Sequence, residues 1–130
     1  MSDAIHHKLE QLLGPRRALD DPDKLGDVYG VDESGLGSFP PDAVALVESA
    51  DEVREVLRLA ELDRIPITPR GLGTGMTGGA LAVRGGIVIS TERMNRVLEI
   101  DADSLVAVVQ PGVITGDLQQ AVQEQGVFYP

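Results

Sequence analysis

Residues 68–80 read TPRGLGTGMTGGA, and this glycine-rich stretch decides how the chain is interpreted. Glycine accepts positive φ angles and has no Cβ, so closely spaced glycines let backbone N–H groups converge on an anion. The threonine hydroxyls add donors and the arginine adds a positive charge. The pattern predicts a phosphate or pyrophosphate site, with simple tight turns as the plainer alternative. The candidate contact residues are Pro69, Arg70, Gly71, Leu72, Gly73, Thr74, Gly75, Thr77, Gly78 and Gly79.

Two common nucleotide-binding motifs do not fit this stretch. A Walker A loop ends in Gly-Lys-Ser/Thr, which the sequence lacks here. The Rossmann motif needs a third glycine where Met76 stands. It also needs a helix directly after the loop, and the sequence predicts none there. The anion is therefore expected on loop amides and not at the N-terminus of a helix.

Hydrophobic patterns before the loop predict a strand, a helix and a second strand. Residues 43–47 form a short apolar run. Ser49 and Glu52 then make a capping box in which Glu52 reaches back to the Ser49 amide, and a helix with one apolar face follows. Residues 65–68 are expected to form the next strand, which leads into the loop. This order is typical of a βαβ unit with parallel strands.

The segments after the loop predict a strand, a hairpin and a helix. Residues 87–89 favour a buried strand, and residues 97–100 and 105–109 favour the two arms of an antiparallel hairpin. Thr115 is the expected N-cap of a helix that stops before Gly126. Together with the βαβ unit, these elements indicate an α+β fold.

The N-terminal third gives weaker signals. Residues 4–13 favour a short helix, whereas residues 16–41 lack clear periodicity and are rich in Asp, Gly and Pro. We therefore predict an N-terminal helix with an irregular lead-in over residues 1–40, and the domain that carries the loop over residues 41–130. An apolar segment begins just before Pro130, so a fragment of a longer protein is expected.

Composition excludes several classes of function. The formal net charge of −10 argues against nucleic-acid binding, which needs clustered Lys and Arg. The absence of cysteine excludes disulfides and cysteine-based metal sites, and it is compatible with the cytoplasm, which is the expected location. No run of about 18 apolar residues is present, so no membrane span is expected.

Several motifs in order resemble the FAD-linked oxidases of the vanillyl-alcohol oxidase / p-cresol methylhydroxylase fold family. The loop is similar to the pyrophosphate loop of that family, and the chain most resembles its glycolate oxidase D-subunit and FAD-dependent D-lactate dehydrogenase branch. The other matching segments are residues 29–34 (a Tyr-x-x-Asp-x-Ser motif), 41–57, 93–101, 110–113 and 126–130.

The resemblance implies a fold and a cofactor. It implies the first subdomain of a PCMH-type FAD-binding domain, in which residues 69–75 and 77–79 wrap the FAD pyrophosphate. It also implies that Pro111 and Gly112 approach the flavin nucleotide. Some relatives attach FAD through a histidine that matches Thr74 here. Threonine does not form that bond, so FAD is expected to bind non-covalently.

The resemblance also implies an activity for the parent protein. That activity is hydride transfer from C2 of a small 2-hydroxy acid, such as D-lactate or glycolate, to flavin N5. The metal-binding and proton-abstracting histidines of such enzymes lie in a later substrate domain. We therefore assign this chain no catalytic or metal-binding residue, and we expect it to be inactive by itself. An iron–sulfur partner subunit is a further implication.

Two alternatives stay open at this stage. One is an enzyme of the same fold with other chemistry, such as UDP-N-acetylenolpyruvoylglucosamine reductase or an alkylglycerone-phosphate synthase. The other is a non-catalytic module that binds some other anion.

Three features outside the glycines have plain interpretations. His6 and His7 are adjacent on a helix and are interpreted as having a solvated, structural role. Asp32 and Glu33 are interpreted as part of a surface turn. Arg70 is expected to anchor either the loop or the phosphates.

Overall fold

The computed structural model describes residues 2–130 and the side chains of residues 3–130. The described residues form helices and strands in mixed order, which confirms the predicted α+β class. The elements are α1 (Ser2–Leu13), β1 (Ala18–Leu19), α2 (Pro22–Asp27), β2 (Ala43–Leu46), α3 (Ala50–Asp63), β3 (Ile67–Arg70), β4 (Ile87–Ser90), β5 (Val97–Asp101), β6 (Val106–Val109) and α4 (Thr115–Gln123).

Four of the strands form one mixed sheet in the order β1-β2-β4-β3. Strands β2, β4 and β3 are parallel, and β1 is antiparallel to β2. The predicted parallel strands of the βαβ unit are therefore present. They are not neighbours, because β4 lies between β2 and β3. Residue Ile87 of β4 is in register with Ala43 on one side and with Ile67 on the other.

The parallel sheet is covered on both faces. Alternate residues of β2 and β4, such as Ala45 and Ile89, pack with Leu9 of α1 and Val56 of α3. The residues between them face the other way. Examples are Val44 and Val88, which pack with Leu25 and Tyr29. Every residue of β2 and β4 is buried as a result, as is usual for parallel strands.

The ends of α3 explain where β3 begins. Ser49 Oγ accepts the Glu52 N–H at 3.2 Å, as predicted. The Glu52 carboxylate, however, accepts the Glu48 N–H and not that of Ser49. At the other end Arg64 is left-handed with φ of 54°, and Ile65 N–H donates back to the helix. Ile65 thus belongs to the helix cap, and the Pro66 carbonyl already accepts the Ile87 N–H of β4 at 2.9 Å. Strand β3 begins at Ile67, two residues later than predicted.

The described residues up to position 40 pack on the same sheet as the rest of the chain. Helix α1 confirms the expected short helix, and β1 pairs with β2 in the segment expected to be irregular. Helix α2 lies in that segment too, and its N-terminus is capped by Asp21 with Pro22 as the next residue, a favoured combination at a helix start. The proposed boundary between residues 40 and 41 stays a prediction.

The C-terminal third forms the predicted hairpin and helix. Strands β5 and β6 pair antiparallel, and the Asp101 carboxylate accepts from the amides of Asp103 and Ser104 in the turn between them. The prediction for Thr115 was wrong: Ile114 is the N-cap of α4, and no side chain caps it. Among the described residues, no helix is both long and apolar enough to cross a bilayer.

Candidate functional site

The predicted anion-binding loop follows the carboxyl end of a parallel strand. Strand β3 ends at Arg70, so Pro69 and Arg70 are strand residues. The glycine loop, defined here as residues 71–80, contains no helix or strand. Ligands of parallel sheets commonly bind outside the carboxyl ends of the strands. The loop therefore occupies a position where a ligand is expected.

The outer side of the glycine loop presents unbonded backbone donors. Within the described part of the chain, the N–H groups of residues 71–77 make no hydrogen bond to another protein group. Thr74, Gly75, Met76 and Thr77 are all exposed. Because the loop does not satisfy them internally, the amides of the exposed residues 74–77 are available to an anion.

The five loop glycines fall into two groups. Gly73 and Gly78 have φ of +77° and +78°. A Cβ on Gly73 would lie 1.9 Å from Arg70 Nη2, and one on Gly78 would lie 2.8 Å from Leu36 Cδ1. Gly71, Gly75 and Gly79 have no positive φ, and a Cβ there would meet nothing within 4 Å. The fold thus requires the first pair, whereas the other three leave space in front of the loop.

Arg70 holds the loop from inside the protein. Its side chain is buried, and its guanidinium donates to the carbonyl oxygens of Val28 and Val31, each at 2.8 Å. Burial lowers the pKa of this guanidinium. The Arg70 carbonyl accepts the Thr91 N–H at 2.9 Å, which ties the end of β3 to the end of β4. Arg70 thus ties the end of β3 to residues 28–31, and its expected role toward the loop or the phosphates stays a prediction.

Tyr29 and Glu92 extend this anchor. The Tyr29 ring centroid lies 5.7 Å from Arg70 Cζ, within cation–π range. The Tyr29 hydroxyl donates to Glu92 Oε1 at 3.1 Å, and Ser90 Oγ donates to Glu92 Oε2 at 3.1 Å. Burial and the neighbouring Glu92 carboxylate raise the pKa of Tyr29 to about 12. Sequence reasoning missed Glu92, because its partner Tyr29 is 63 positions away.

The segment around Asp32 packs under the far end of the loop. Asp32 accepts from the Ser34 N–H at 2.9 Å and from the Ser34 hydroxyl, which confirms the predicted turn. The hydrogen bond from the Ser34 hydroxyl, together with the one from its amide, lowers the pKa of Asp32. Asp32 is half-buried and interacts electrostatically with Arg70. Residues 29–36 thus support the loop from Gly73 to Gly78.

The second predicted flavin-contacting segment lies beside the loop. Gly112 N–H donates to Met94 O at 2.8 Å, and a Cβ on Gly112 would lie 2.1 Å from Thr91 O. Only glycine therefore fits this contact with the turn after β4. The contact places Pro111 next to the glycine loop. A pocket of about 310 Å³ separates the two segments, and it is lined by Gly71, Leu72, Thr74, Pro111, Gly112, Val113, Ile114 and Thr115.

The two histidines lie on another part of the molecule. Helix α1 contacts β1 and β2, whereas the glycine loop follows β3 at the opposite edge of the sheet. His6 lies between Asp20 and the Ala18 carbonyl, each at 3.2 Å, and His7 pairs with Gln11. Across residues 2–130, no group of His, Cys, Asp and Glu is arranged to hold a metal ion.

A sequence model described as an FAD binding domain matches residues 41–130. This match covers more than half of the chain and includes both segments that line the pocket.

The chain belongs to the FAD-binding domain family.

Curated relatives of this FAD-binding domain are consistent with the match. Glycolate oxidase subunit GlcD of Bacillus subtilis (strain 168) is 40% identical over 97% of this chain and 27% of its own length. D-lactate dehydrogenase of Anaerostipes hadrus is 35% identical over 91% of this chain and 25% of its own length. The chain therefore spans about a quarter of these relatives.

A solved structure shows the same fold for this FAD-binding domain. p-Cresol methylhydroxylase with substrate bound superposes with a TM-score of 0.81 at 26% identity. The likeness covers 95% of this chain and 25% of that chain. It confirms the PCMH-type fold that the sequence motifs implied.

The residues present fit FAD, the cofactor of this family. A diphosphate needs several donors around a small space, and the unbonded amides of residues 71–77 provide them next to the pocket. Of the three glycines whose Cβ would meet nothing, Gly71 lines the pocket and leaves that space clear. The individual contacts predicted for this FAD-binding domain stay predictions.

Proposed function

We propose that this chain is the first part of the FAD-binding domain of an oxidoreductase that acts on small 2-hydroxy acids such as D-lactate or glycolate. One observation carries the cofactor part of the proposal: the unbonded amides of residues 71–77 beside the pocket. The substrate class is supported by the relatives named glycolate oxidase subunit and D-lactate dehydrogenase.

The glycine loop binds the pyrophosphate of FAD in this proposal. Its backbone N–H groups donate to the phosphate oxygens, and the hydroxyls of Thr74 and Thr77 add donors at the exposed face. Gly71, Gly75 and Gly79 allow close approach because no Cβ stands in the way. Pro69 and Arg70, as strand residues, fix where the loop begins.

The turn of Pro111 and Gly112 forms the opposite wall of the site. Val113 and Ile114 make that wall partly apolar, and Leu72 of the glycine loop lines the same pocket, as suits an aromatic ring system. FAD is held without a covalent bond, since Thr74 stands where some relatives carry a histidine. When bound, FAD supplies the hydride acceptor, and this chain contributes cofactor binding and orientation.

The rest of the proposed protein lies outside this chain. The substrate binds through a domain that this chain does not contain, which also provides the catalytic and metal-binding residues. An iron–sulfur partner subunit and a cytoplasmic location stay predictions. By itself the 130-residue chain is expected to be inactive.

The test is made on the complete gene product that contains this chain. Acid precipitation of the purified protein is expected to release FAD into the supernatant, because the cofactor is non-covalent. D-lactate or glycolate is then expected to bleach the flavin absorption anaerobically. A protein that binds no flavin would overturn the proposal in favour of an anion-binding module. A flavoprotein reduced by neither acid would retain the fold and overturn the substrate class.

A further inference from the structure

A buried polar network lies on the inner side of the glycine loop. It runs from Ser90 through Glu92 and Tyr29 to Arg70. Ser90 is fully buried and Arg70 is 7% exposed. Residues Arg70 and Ser90 are in register on adjacent strands, so they face the same side of the sheet as Tyr29. The sheet geometry therefore brings these side chains together.

Arg70 is held between Tyr29 and Gly73. Its guanidinium lies over the Tyr29 ring, and the α-carbon of Gly73 lies so close to it that a Cβ would stand 1.9 Å from Nη2. Both terminal nitrogens are fixed by backbone carbonyls at 2.8 Å. The position of the guanidinium therefore limits how closely the Gly73 backbone can approach the sheet.

The charges around Arg70 distinguish two possible roles, which are attracting a diphosphate and positioning the loop backbone. The Asp32 and Glu92 carboxylates both interact with the guanidinium, as does Tyr29. One cation with two anions gives no net positive charge under the loop. We therefore do not assign the network the role of attracting a diphosphate by charge. Its geometry is compatible with holding the backbone of the glycine loop in position.

Glu92 holds the other end of the arrangement. Its carboxylate accepts the Tyr29 hydroxyl at 3.1 and 3.3 Å and the Ser90 hydroxyl at 3.1 Å. A buried phenol that donates a hydrogen bond to a carboxylate has its ring held in one orientation. The ring in turn supports Arg70, and Arg70 supports Gly73.

We propose that Glu92 is a positioning residue of the flavin site, which acts through Tyr29 and Arg70 to hold the Gly73 backbone in the shape that binds a diphosphate. This inference rests on the proposed function, because it assigns a role toward the FAD of that site. Glu92 itself is not among the residues that line the pocket.

The experiment measures FAD affinity in four variants of the complete gene product after removal of the flavin. Glu92→Ala is expected to raise the FAD Kd about tenfold, as supporting residues of a site commonly do. Glu92→Gln keeps an acceptor for Tyr29 and is expected to recover most of the affinity. Tyr29→Phe removes only the hydroxyl and is expected to raise the Kd about threefold.

Glu52→Ala is the matched control. Glu52 is also a half-buried carboxylate with a close partner, Arg17 at 2.7 Å, and it lies away from the loop. This variant is expected to lower thermal stability and to leave the FAD Kd unchanged. Circular dichroism at the titration temperature establishes that each variant is folded, and the shape of the visible flavin spectrum reports the environment of the bound cofactor.

Each result has one interpretation. If the unmodified protein binds no FAD, the proposed function fails. If it binds FAD and both Glu92→Ala and Tyr29→Phe bind equally well, only the positioning role is overturned. An equal loss of affinity in Glu52→Ala would also overturn it, because general destabilisation would then explain the effect. If Glu92→Ala does not fold, the Tyr29→Phe titration decides.

Discussion

The inner and outer sides of the glycine loop differ in how their polar groups are satisfied. On the inner side, Arg70 donates to two carbonyls and its neighbours Tyr29 and Glu92 are bonded to each other. On the outer side, the amides of the exposed residues 74–77 make no bond to the rest of the described protein. The inner contacts hold the base of the loop, and the unbonded donors lie on the side of the loop where a ligand would bind.

The largest effect on stability is expected when a side chain is added at Gly73, on the inner side of the loop. Gly73→Ala combines a positive φ with a contact against the fixed Arg70 guanidinium, and it is expected to cost about 3 kcal/mol of unfolding free energy. Urea denaturation of the apoprotein measures it. An unchanged midpoint would show that the inner side is loosely packed.

A smaller loss is expected when the anchor itself is altered. Arg70→Lys keeps the charge and loses the two-pronged contact with Val28 and Val31, and it is expected to cost about 2 kcal/mol of unfolding free energy. Arg58→Lys is the control, since Arg58 is exposed and pairs with Glu55 on the same helix. Equal stability of the two variants would contradict the role of Arg70 as an anchor.

A change on the outer side is expected to affect binding and not stability. Gly75→Ala places a methyl group in open space, so the unfolding free energy of the apoprotein should change by no more than about 0.5 kcal/mol. The FAD Kd should rise about tenfold, or ~1.4 kcal/mol. Gly26→Ala in α2, whose Cβ also meets nothing, should leave the Kd unchanged. A loss of stability in Gly75→Ala without a change in the FAD Kd would contradict the assignment of Gly75 to the outer, ligand-binding side of the loop.

The contacts of Tyr29 on the inner side of the loop also predict that folding stability depends on pH. Tyr29 has a pKa raised to about 12 in the folded chain, against about 10 when unfolded. Its contribution to stability is therefore complete below pH of about 10 and is lost as the pH rises through about 12. The difference in tyrosinate absorbance between the complete gene product and its Tyr29→Phe variant gives this pKa. Titration of Tyr29 at a pH of about 10 would contradict its burial and its hydrogen bond to Glu92.

The outer side of the loop could be predicted from sequence, whereas the inner side could not. Five glycines close together indicate exposed amides by local rules alone. The inner side depends on the pairing of Tyr29 with Glu92, which the sheet brings together over 63 positions. Short-range patterns carry no signal for such a contact. Only the family motif at residues 29–34 marked Tyr29 in advance, and it assigned the residue no role.

Local errors in the fold prediction have local causes. The start of β3 was misplaced because Arg64 adopts a left-handed conformation that extends the helix cap. Helix α2 was missed because its six residues, with a glycine among them, show no helical periodicity. Asp21 followed by Pro22 was its only start signal. In both cases the capping geometry, and not the hydrophobic pattern, determined the boundary.

Amide hydrogen exchange of the complete gene product, with and without FAD, tests the central claim most directly. The amides of residues 71–77 are expected to exchange fast in the apoprotein and to become protected when FAD binds, while the buried amides of β4 are protected in both states. FAD binding that leaves residues 71–77 unprotected would contradict the claim that this loop holds the diphosphate.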